Sequence, residues 1–180
     1  MKITETAIPG MLVIEPQVFG DRRGFFTELF HAEKFAAAGL PTAFVQDNLS
    51  RSARGVLRGL HYQIERPQGK LVRVLAGSVF DVAVDLRRSS PAFGKAVGVE
   101  ITGDSHTQVY LPPGCAHGFF VLSETADFFY KCTDLYAPEH ERTLLWNDPA
   151  LEIDWPAGVE PTLSDKDLAG VPLAECETYA

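Results

Sequence analysis

Short apolar segments, separated by turns that contain glycine or proline, run through most of this chain. The clearest lies at residues 79–86, where large hydrophobic side chains alternate with a second set that includes Asp81 and Asp85. This period of two residues predicts a strand with one buried face. Many short, closely spaced strands of this kind favour a sandwich or a barrel.

Further strands and two short helical segments complete this prediction. Strands are expected at residues 70–76, 96–101, 107–111, 118–122 and 128–133, with turns between them. A helix is expected at about 32–38, ended by Gly39 and Pro41, and a second helical turn starts at Ser164. No repeat or linker divides the 180 residues. The chain is therefore predicted to be one all-β (mainly β) domain, residues 1–180, with a few short helices.

The charges exclude some partners and favour others. The net charge of −8 argues against binding to nucleic acid or to an anionic membrane. Six cations nevertheless lie between residues 51 and 73: Arg51, Arg54, Arg58, Arg66, Lys70 and Arg73. A local group of cations in an acidic protein fits a small anionic ligand.

The cysteine usage and the N-terminus indicate a cytoplasmic protein. The cysteines number three, are widely spaced and include no CxxC pair, so neither a disulfide framework nor a zinc knuckle is expected. The first residues contain no apolar signal core, and no segment has transmembrane length.

His61 lies within the segment GVLRGLHYQ, residues 55–63, close to Arg58 and Lys70. A core histidine with a satisfied hydrogen bond is one interpretation. A base that moves protons near neutral pH is the other, and the nearby cations favour it because they could hold an anion or stabilise charge on oxygen.

Asp167 and His117 each allow two interpretations. Asp167 completes the pattern Ser-x-x-Asp from Ser164, which is typical of a helix cap, but its carboxylate could also orient His61. His117 follows a Pro-x-Gly turn, as in the second half of the cupin pattern. The first half should then read His-x-His, but Gln63 replaces the second histidine, so a metal site is not expected. His117 is then a ligand-contacting or a structural residue.

Three other segments each allow two interpretations from the sequence. Tyr130 and Tyr136 are either strand aromatics or groups that donate a proton or stack on a base. Arg22 and Arg23 are either solvated or in reach of a phosphate. The segment QDN at residues 46–48 is either a turn or a set of polar ligand contacts.

Taken together, the segments closely resemble the dTDP-4-dehydrorhamnose 3,5-epimerase family. The resemblance rests on an ordered set of motifs that covers nearly the whole chain: DRRGFF at 21–26, QDN at 46–48, GVLRGLH at 55–61, QGKLVR at 68–73, FDVAVD at 80–85, P-x-G-x-A-H-G-F at 112–119, YK at 130–131 and LWNDP at 145–149. It implies a cupin-type jelly-roll fold, a homodimer, and no metal or organic cofactor.

The resemblance also implies roles for individual residues. His61 is similar to the catalytic base, Asp167 to its dyad partner and Tyr130 to the proton donor. Lys70 and Arg58 resemble the residues near the keto oxygen and the diphosphate, and Tyr136 the ring that stacks on thymine. Arg23 and Glu28 resemble nucleotide contacts that cross the dimer interface. Further binding positions are implied at Gln46, Asp47, Asn48, His117, Glu141 and Lys166.

The activity implied is epimerisation at C3 and C5 of dTDP-4-dehydro-6-deoxy-D-glucose in dTDP-L-rhamnose biosynthesis. Two alternatives remain from the sequence: a single-centre 3- or 5-epimerase of a related deoxysugar, and a non-catalytic cupin that binds nucleotide sugars. A ketoisomerase and a metal-dependent cupin dioxygenase are more distant possibilities.

Overall fold

A computed structural model describes residues 1–180. The chain forms mainly strands, with two short α-helices and two 3-10 helices at Pro138–His140 and Pro149–Leu151. The helices are α1 (Ala32–Ala37) and α2 (Asp165–Leu168). The strands are β1 (Lys2–Glu5), β2 (Leu12–Glu15), β3 (Val18–Asp21), β4 (Gly24–Thr27), β5 (Gln46–Ala53), β6 (Leu57–Gln63), β7 (Lys70–Ala76), β8 (Ser78–Asp85), β9 (Ala96–Thr102), β10 (Gln108–Leu111), β11 (Cys115–Val121), β12 (Thr125–Cys132) and β13 (Glu141–Thr143).

Two antiparallel sheets face each other across an apolar core. One has the order β1-β2-β10-β7-β12-β5 and the other β13-β6-β11-β8-β9, while β3 and β4 form a separate hairpin. Val72 and Phe128 of the first sheet meet Val79 and Phe119 of the second in the largest buried cluster. Packing of two inner faces in this way is how a β-sandwich buries its core, so the predicted architecture is confirmed.

Strand β8 differs from its sequence-based description. One exposed face was expected, but both faces are buried, and Asp81 and Asp85 have no accessible surface. The outer face, with Val82 and Val84, packs against a second cluster to which Leu144 and residues further along the chain contribute. An alternating pattern cannot show that the side of a strand with the aspartates faces the opposite sheet while a later segment of the chain covers its apolar side.

Strand β5 follows a pattern opposite to that of a core strand. Gln46 and Asn48 are partly buried, whereas Leu49, the residue after Asn48, is 63% exposed. Of the two interpretations of residues 46–48, the turn is wrong, because these residues begin a strand. Hydrophobic periodicity misses β5 because its inward side chains are polar and face a cavity.

Both predicted helical segments are present. α1 buries Phe35 against the outer face of the six-stranded sheet. α2 begins after Ser164 with a complete capping box, formed by Ser164 and Asp167. None of the helices has the length and hydrophobicity needed to span a bilayer.

Candidate active site

A cavity of about 540 Å³ opens between the two sheets. Strands from both sheets contribute to its walls, together with α2 and the segment that follows β12. The predicted site residues that line it are Gln46, Asn48, Arg58, His61, Lys70, His117, Tyr130, Tyr136, Glu141, Lys166 and Asp167.

His61 and Asp167 form a close pair in this cavity. Nε2 of His61 lies 2.7 Å from Oδ1 of Asp167, although the alignment is too poor for a regular hydrogen bond. Oδ1 also accepts from the backbone N–H of Gly59 at 3.0 Å, and Oδ2 accepts from the Ser164 hydroxyl at 2.6 Å. Burial opposes ionisation of Asp167, but the interactions with His61, Ser164 and Gly59 outweigh it and hold its pKa well below the usual range.

The backbone around Gly59 explains how β6 brings His61 to this position. Gly59 has φ +126°, and a Cβ there would lie 2.5 Å from Cα of Gly118 on β11. The pairing of β6 and β11 is irregular between His117 and Phe119. Only glycine tolerates this dihedral angle and such a close approach between the two strands. In this backbone conformation the N–H of Gly59 points at the carboxylate of Asp167.

Tyr130 enters the cavity from the opposite sheet, because it lies on β12 while His61 lies on β6. No protein side chain bonds its hydroxyl. Burial, with smaller contributions from Cys132 and Glu141, raises the pKa of Tyr130 to about 12. The phenol is therefore protonated at neutral pH and available as a weak acid.

The cations differ in where they lie. Lys70 lines the cavity without an ion pair, and burial lowers the pKa of its ammonium group. Arg58 also lines the cavity and donates to Ser52 at 3.1 Å. The expectation of one cluster of six cations is wrong, since the others lie elsewhere: Arg51 and Arg66 pair with Asp127 and Asp134 at the surface, Arg54 is exposed, and Arg73 is buried on the outer face of the six-stranded sheet.

His117 lies inside β11, which starts at Cys115, three residues before the strand start at 118 that the sequence indicates. Its Nε2 lies 2.8 Å from Oδ1 of Asp81, which sequence reasoning did not select. Burial lowers the pKa of His117, so the ring is neutral. No group of three or more His, Cys, Asp or Glu side chains could hold a metal ion.

The outer wall of the cavity is polar and aromatic. Glu141 accepts from Lys166 at 2.9 Å and from the Tyr136 hydroxyl at 2.9 Å. Gln46 donates to Asn48 at 3.0 Å and accepts from the backbone N–H of Tyr136 at 2.8 Å. The ring of Tyr136 is half-exposed and available for stacking.

Three predicted binding residues do not line the cavity in this chain. Asp47 points to the other face of β5 and bonds Lys131 at 2.6 Å. Arg23, in the β3–β4 hairpin, pairs with Asp21, and Glu28 pairs with Lys34 at 2.6 Å.

Two antiparallel sheets around a cavity that holds a His–Asp pair, an opposed tyrosine and an unpaired lysine define a β-sandwich protein with an acid–base site. A family model, dTDP-4-dehydrorhamnose 3,5-epimerase, matches residues 5–175, and the chain belongs to this family. The predicted resemblance and the cupin-type jelly roll are thereby confirmed.

The chain is similar to several known members over its whole length. It is 57% identical to dTDP-4-dehydrorhamnose 3,5-epimerase of Pseudomonas aeruginosa over 99% of each chain. A dTDP-6-deoxy-D-glucose-3,5-epimerase from Legionella pneumophila, solved with dTDP-4-keto-L-rhamnose, has a TM-score of 0.94 and 53% identity, covering 98% of this chain and 94% of that one. A 4-keto-6-deoxy sugar epimerase from the novobiocin cluster of Streptomyces spheroides has a TM-score of 0.92 and 40% identity, covering 97% and 88%.

Proposed function

We propose that this chain inverts C3 and C5 of dTDP-4-dehydro-6-deoxy-D-glucose and so produces dTDP-4-dehydro-L-rhamnose, a step of dTDP-L-rhamnose biosynthesis. The observation that carries the proposal is the opposition of His61, backed by Asp167, to Tyr130 across one cavity. Full-length similarity to 3,5-epimerases supports the choice of substrate.

His61 removes the proton. The C3 and C5 hydrogens flank the C4 ketone and are therefore acidic for C–H bonds. Because Nε2 of His61 lies 2.7 Å from Asp167, we assign the role of base to the other nitrogen, Nδ1. The buried carboxylate stabilises the imidazolium that forms and keeps the ring in one orientation.

Tyr130 returns a proton to the opposite face of the sugar ring. Inversion requires an acid on the side away from the base, and β12 lies in the sheet that faces β6. The high pKa of the phenol keeps its proton in place until the carbanion is formed.

Lys70 stabilises the enolate oxygen at C4 between the two proton transfers. Its ammonium group has no carboxylate partner to neutralise it, so its charge is available to the ligand. A fixed donor of this kind contributes about 3–4 kcal/mol to such a transition state. The reaction moves protons only and requires no net oxidation.

The remaining polar residues bind the rest of the ligand. We assign Arg58 and Lys166 to the diphosphate, Tyr136 to the base, and Gln46, Asn48, His117 and Glu141 to polar contacts, since all of them line the cavity. Arg23 and Glu28 act through a second subunit, because they do not face the cavity of their own chain. Asp47 faces away from the cavity and pairs with Lys131, so it has no direct contact with the ligand of its own chain.

The partner we propose is a second copy of the chain. Phe19, Phe25 and Phe26 of the β3–β4 hairpin are 54–67% exposed, which is unusual for a monomer. A homodimer that covers this hairpin would carry Arg23 into the neighbouring site. The three unpaired cysteines agree with a cytoplasmic location, and the 180 residues act as one catalytic domain.

A single-centre epimerase is the second candidate. Similarity to a 3'-monoepimerase from Streptomyces bikiniensis, with a TM-score of 0.89 and 38% identity, supports this candidate. The same base, acid and lysine would serve either reaction, and the walls of the cavity would decide which hydrogens are reached.

NMR of the substrate incubated with the purified protein in D2O tests the proposal. We expect deuterium at both C3 and C5, and none with His61→Ala, which should still bind dTDP. Exchange at one position only would establish the single-centre alternative. Binding of dTDP without exchange would make the protein a non-catalytic binder, and undiminished exchange in His61→Ala would refute the assignment of the base.

A further inference from the structure

Gln63 lies where a metal-binding cupin pattern has its second histidine. It is on β6, two residues after His61, so both side chains point to the same side of the strand. Gln63 is buried, and its amide is fully occupied by backbone groups. Nε2 donates to the carbonyls of Arg66 and Leu135 at 2.9 and 3.3 Å, and Oε1 accepts from the N–H of Ala137 at 2.8 Å.

Two further glutamines bond the same segment, residues 133–137, which connects β12 to the following 3-10 helix. Gln68 donates to the carbonyl of Asp134 at 2.8 Å, and Gln46 accepts from the N–H of Tyr136 at 2.8 Å. The backbone on both sides of Tyr136 is thus fixed by side chains from three separate parts of the chain. The hydroxyl of Tyr136 is bonded in turn by Glu141 at 2.9 Å.

We propose that Gln63 is a positioning residue that holds Tyr136 ready for the nucleobase before the ligand arrives. The inference rests on the proposed function, because it assumes a nucleotide ligand. Segment 133–137 carries exposed side chains at Leu135 and Tyr136 and would be mobile without these bonds. Fixing it in the free protein removes an entropy cost from binding.

The chemistry of the amide explains why glutamine occupies this position. The site requires two donors and one acceptor at the end of one side chain. A glutamate would direct an oxygen at two carbonyls, and a methionine would leave buried backbone groups without partners. Because β6 also carries His61, one strand sets both the base and the aromatic ring, at the two ends of the ligand.

The test compares Gln63→Met and Gln63→Glu with the matched control Tyr62→Phe. Tyr62 is also buried on β6, but its hydroxyl bonds the carbonyl of Glu177 on the other face of the strand, at 2.7 Å. Calorimetry measures the Kd for dTDP and for inorganic diphosphate, and steady-state kinetics separates KM from kcat. The control accounts for any general loss of stability.

We expect both Gln63 variants to bind dTDP roughly tenfold or more weakly, the effect of about one well-made hydrogen bond, while the Kd for diphosphate and kcat stay unchanged. Tyr62→Phe should lower Tm but leave the Kd for dTDP, the Kd for diphosphate and kcat unchanged. Gln68→Met removes one bond at the edge of the segment and should weaken dTDP binding to a smaller degree, which keeps the test decisive if a Gln63 variant does not fold.

Three results would overturn the inference. Wild-type dTDP affinity in the variants would mean that Gln63 does not position Tyr136. Equal losses for dTDP, diphosphate and kcat would mean that it only maintains the fold. If the wild-type protein itself binds dTDP no better than diphosphate, the proposed nucleotide ligand fails and the inference fails with it.

Discussion

The two oxygens of the Asp167 carboxylate have different tasks. Oδ2 closes the capping box with Ser164, and this fixes the side chain so that Oδ1 can face His61. One geometry of Asp167 is therefore compatible both with a helix cap and with the proposed orientation of His61. A capping residue is well suited to orient a base, because its side chain is already rigid.

Tyr130→Phe separates the two proton transfers. The base remains intact, so removal of the substrate proton should continue, while its return on the opposite face is slowed by roughly 10²–10⁴-fold. Mass spectrometry in D2O should then show exchange of substrate hydrogen faster than product formation. Equal loss of exchange and turnover would contradict the role of Tyr130 as the acid.

Lys70→Met should lower activity and raise stability. Loss of the charge on the enolate should reduce kcat by roughly 10²–10³-fold. Burial lowers the pKa of Lys70 in the folded state, so the unfolded state binds this proton more readily and Lys70 disfavours folding near neutral pH. The variant should therefore have the higher Tm at neutral pH.

The pH dependence provides the control for Lys70→Met. Stability of the wild-type protein should rise with pH as the folded-state ammonium loses its proton, so the gap in Tm should narrow toward pH ~10. Calorimetric scans across this range measure it. A gap that is absent or independent of pH would show that Lys70 is not destabilising when charged.

At the scale of elements, the close approach of the neighbouring strands β6 and β11 positions His61. A Cβ on Gly118 would lie 2.6 Å from the carbonyl oxygen of Arg58 and 3.0 Å from Cα of Gly59. Both contacts are with backbone, which cannot rotate away. The two strands carry Arg58, His61 and His117, which line one wall of the cavity, so their pairing sets how these side chains lie relative to one another.

Gly118→Ala should therefore cost about 1–3 kcal/mol of unfolding free energy and reduce activity by shifting His61. Urea unfolding and kcat measure the two effects. Gly20→Ala is the matched control for the unfolding free energy alone, since the only atom within 4 Å of its added Cβ lies at 3.9 Å, whereas its hairpin belongs to the proposed dimer interface. Unchanged stability in Gly118→Ala would contradict the close approach of the strands.

At the scale of the whole molecule, the proposed dimer can be tested by complementation. Arg23→Ala and His61→Ala should each be inactive alone. If Arg23 acts in the neighbouring site, mixed dimers contain one complete site, and an equimolar mixture should recover about a quarter of the wild-type activity. Activity that stays at the level of the separate variants would place Arg23 in its own subunit or outside the site.

The mainly β class, the two helices and the strands β7 to β12 follow from the sequence alone, because local alternation and turn residues specify them. Ordered motifs such as GVLRGLH also indicate the family and most residues of the cavity. What these signals share is that they are local: each depends on neighbours within about ten residues.

The tertiary structure decided which side chains meet, apart from the pair of His61 and Asp167, which the family resemblance already implied. Asp167 reaches His61 across more than a hundred residues, Asp81 pairs with His117, and Gln63 holds a segment more than seventy residues away. The tertiary structure also covers both faces of β8 and turns the polar side of β5 inward. Contacts of this kind depend on how sheets pack and on where later segments of the chain lie, and no local pattern carries that information.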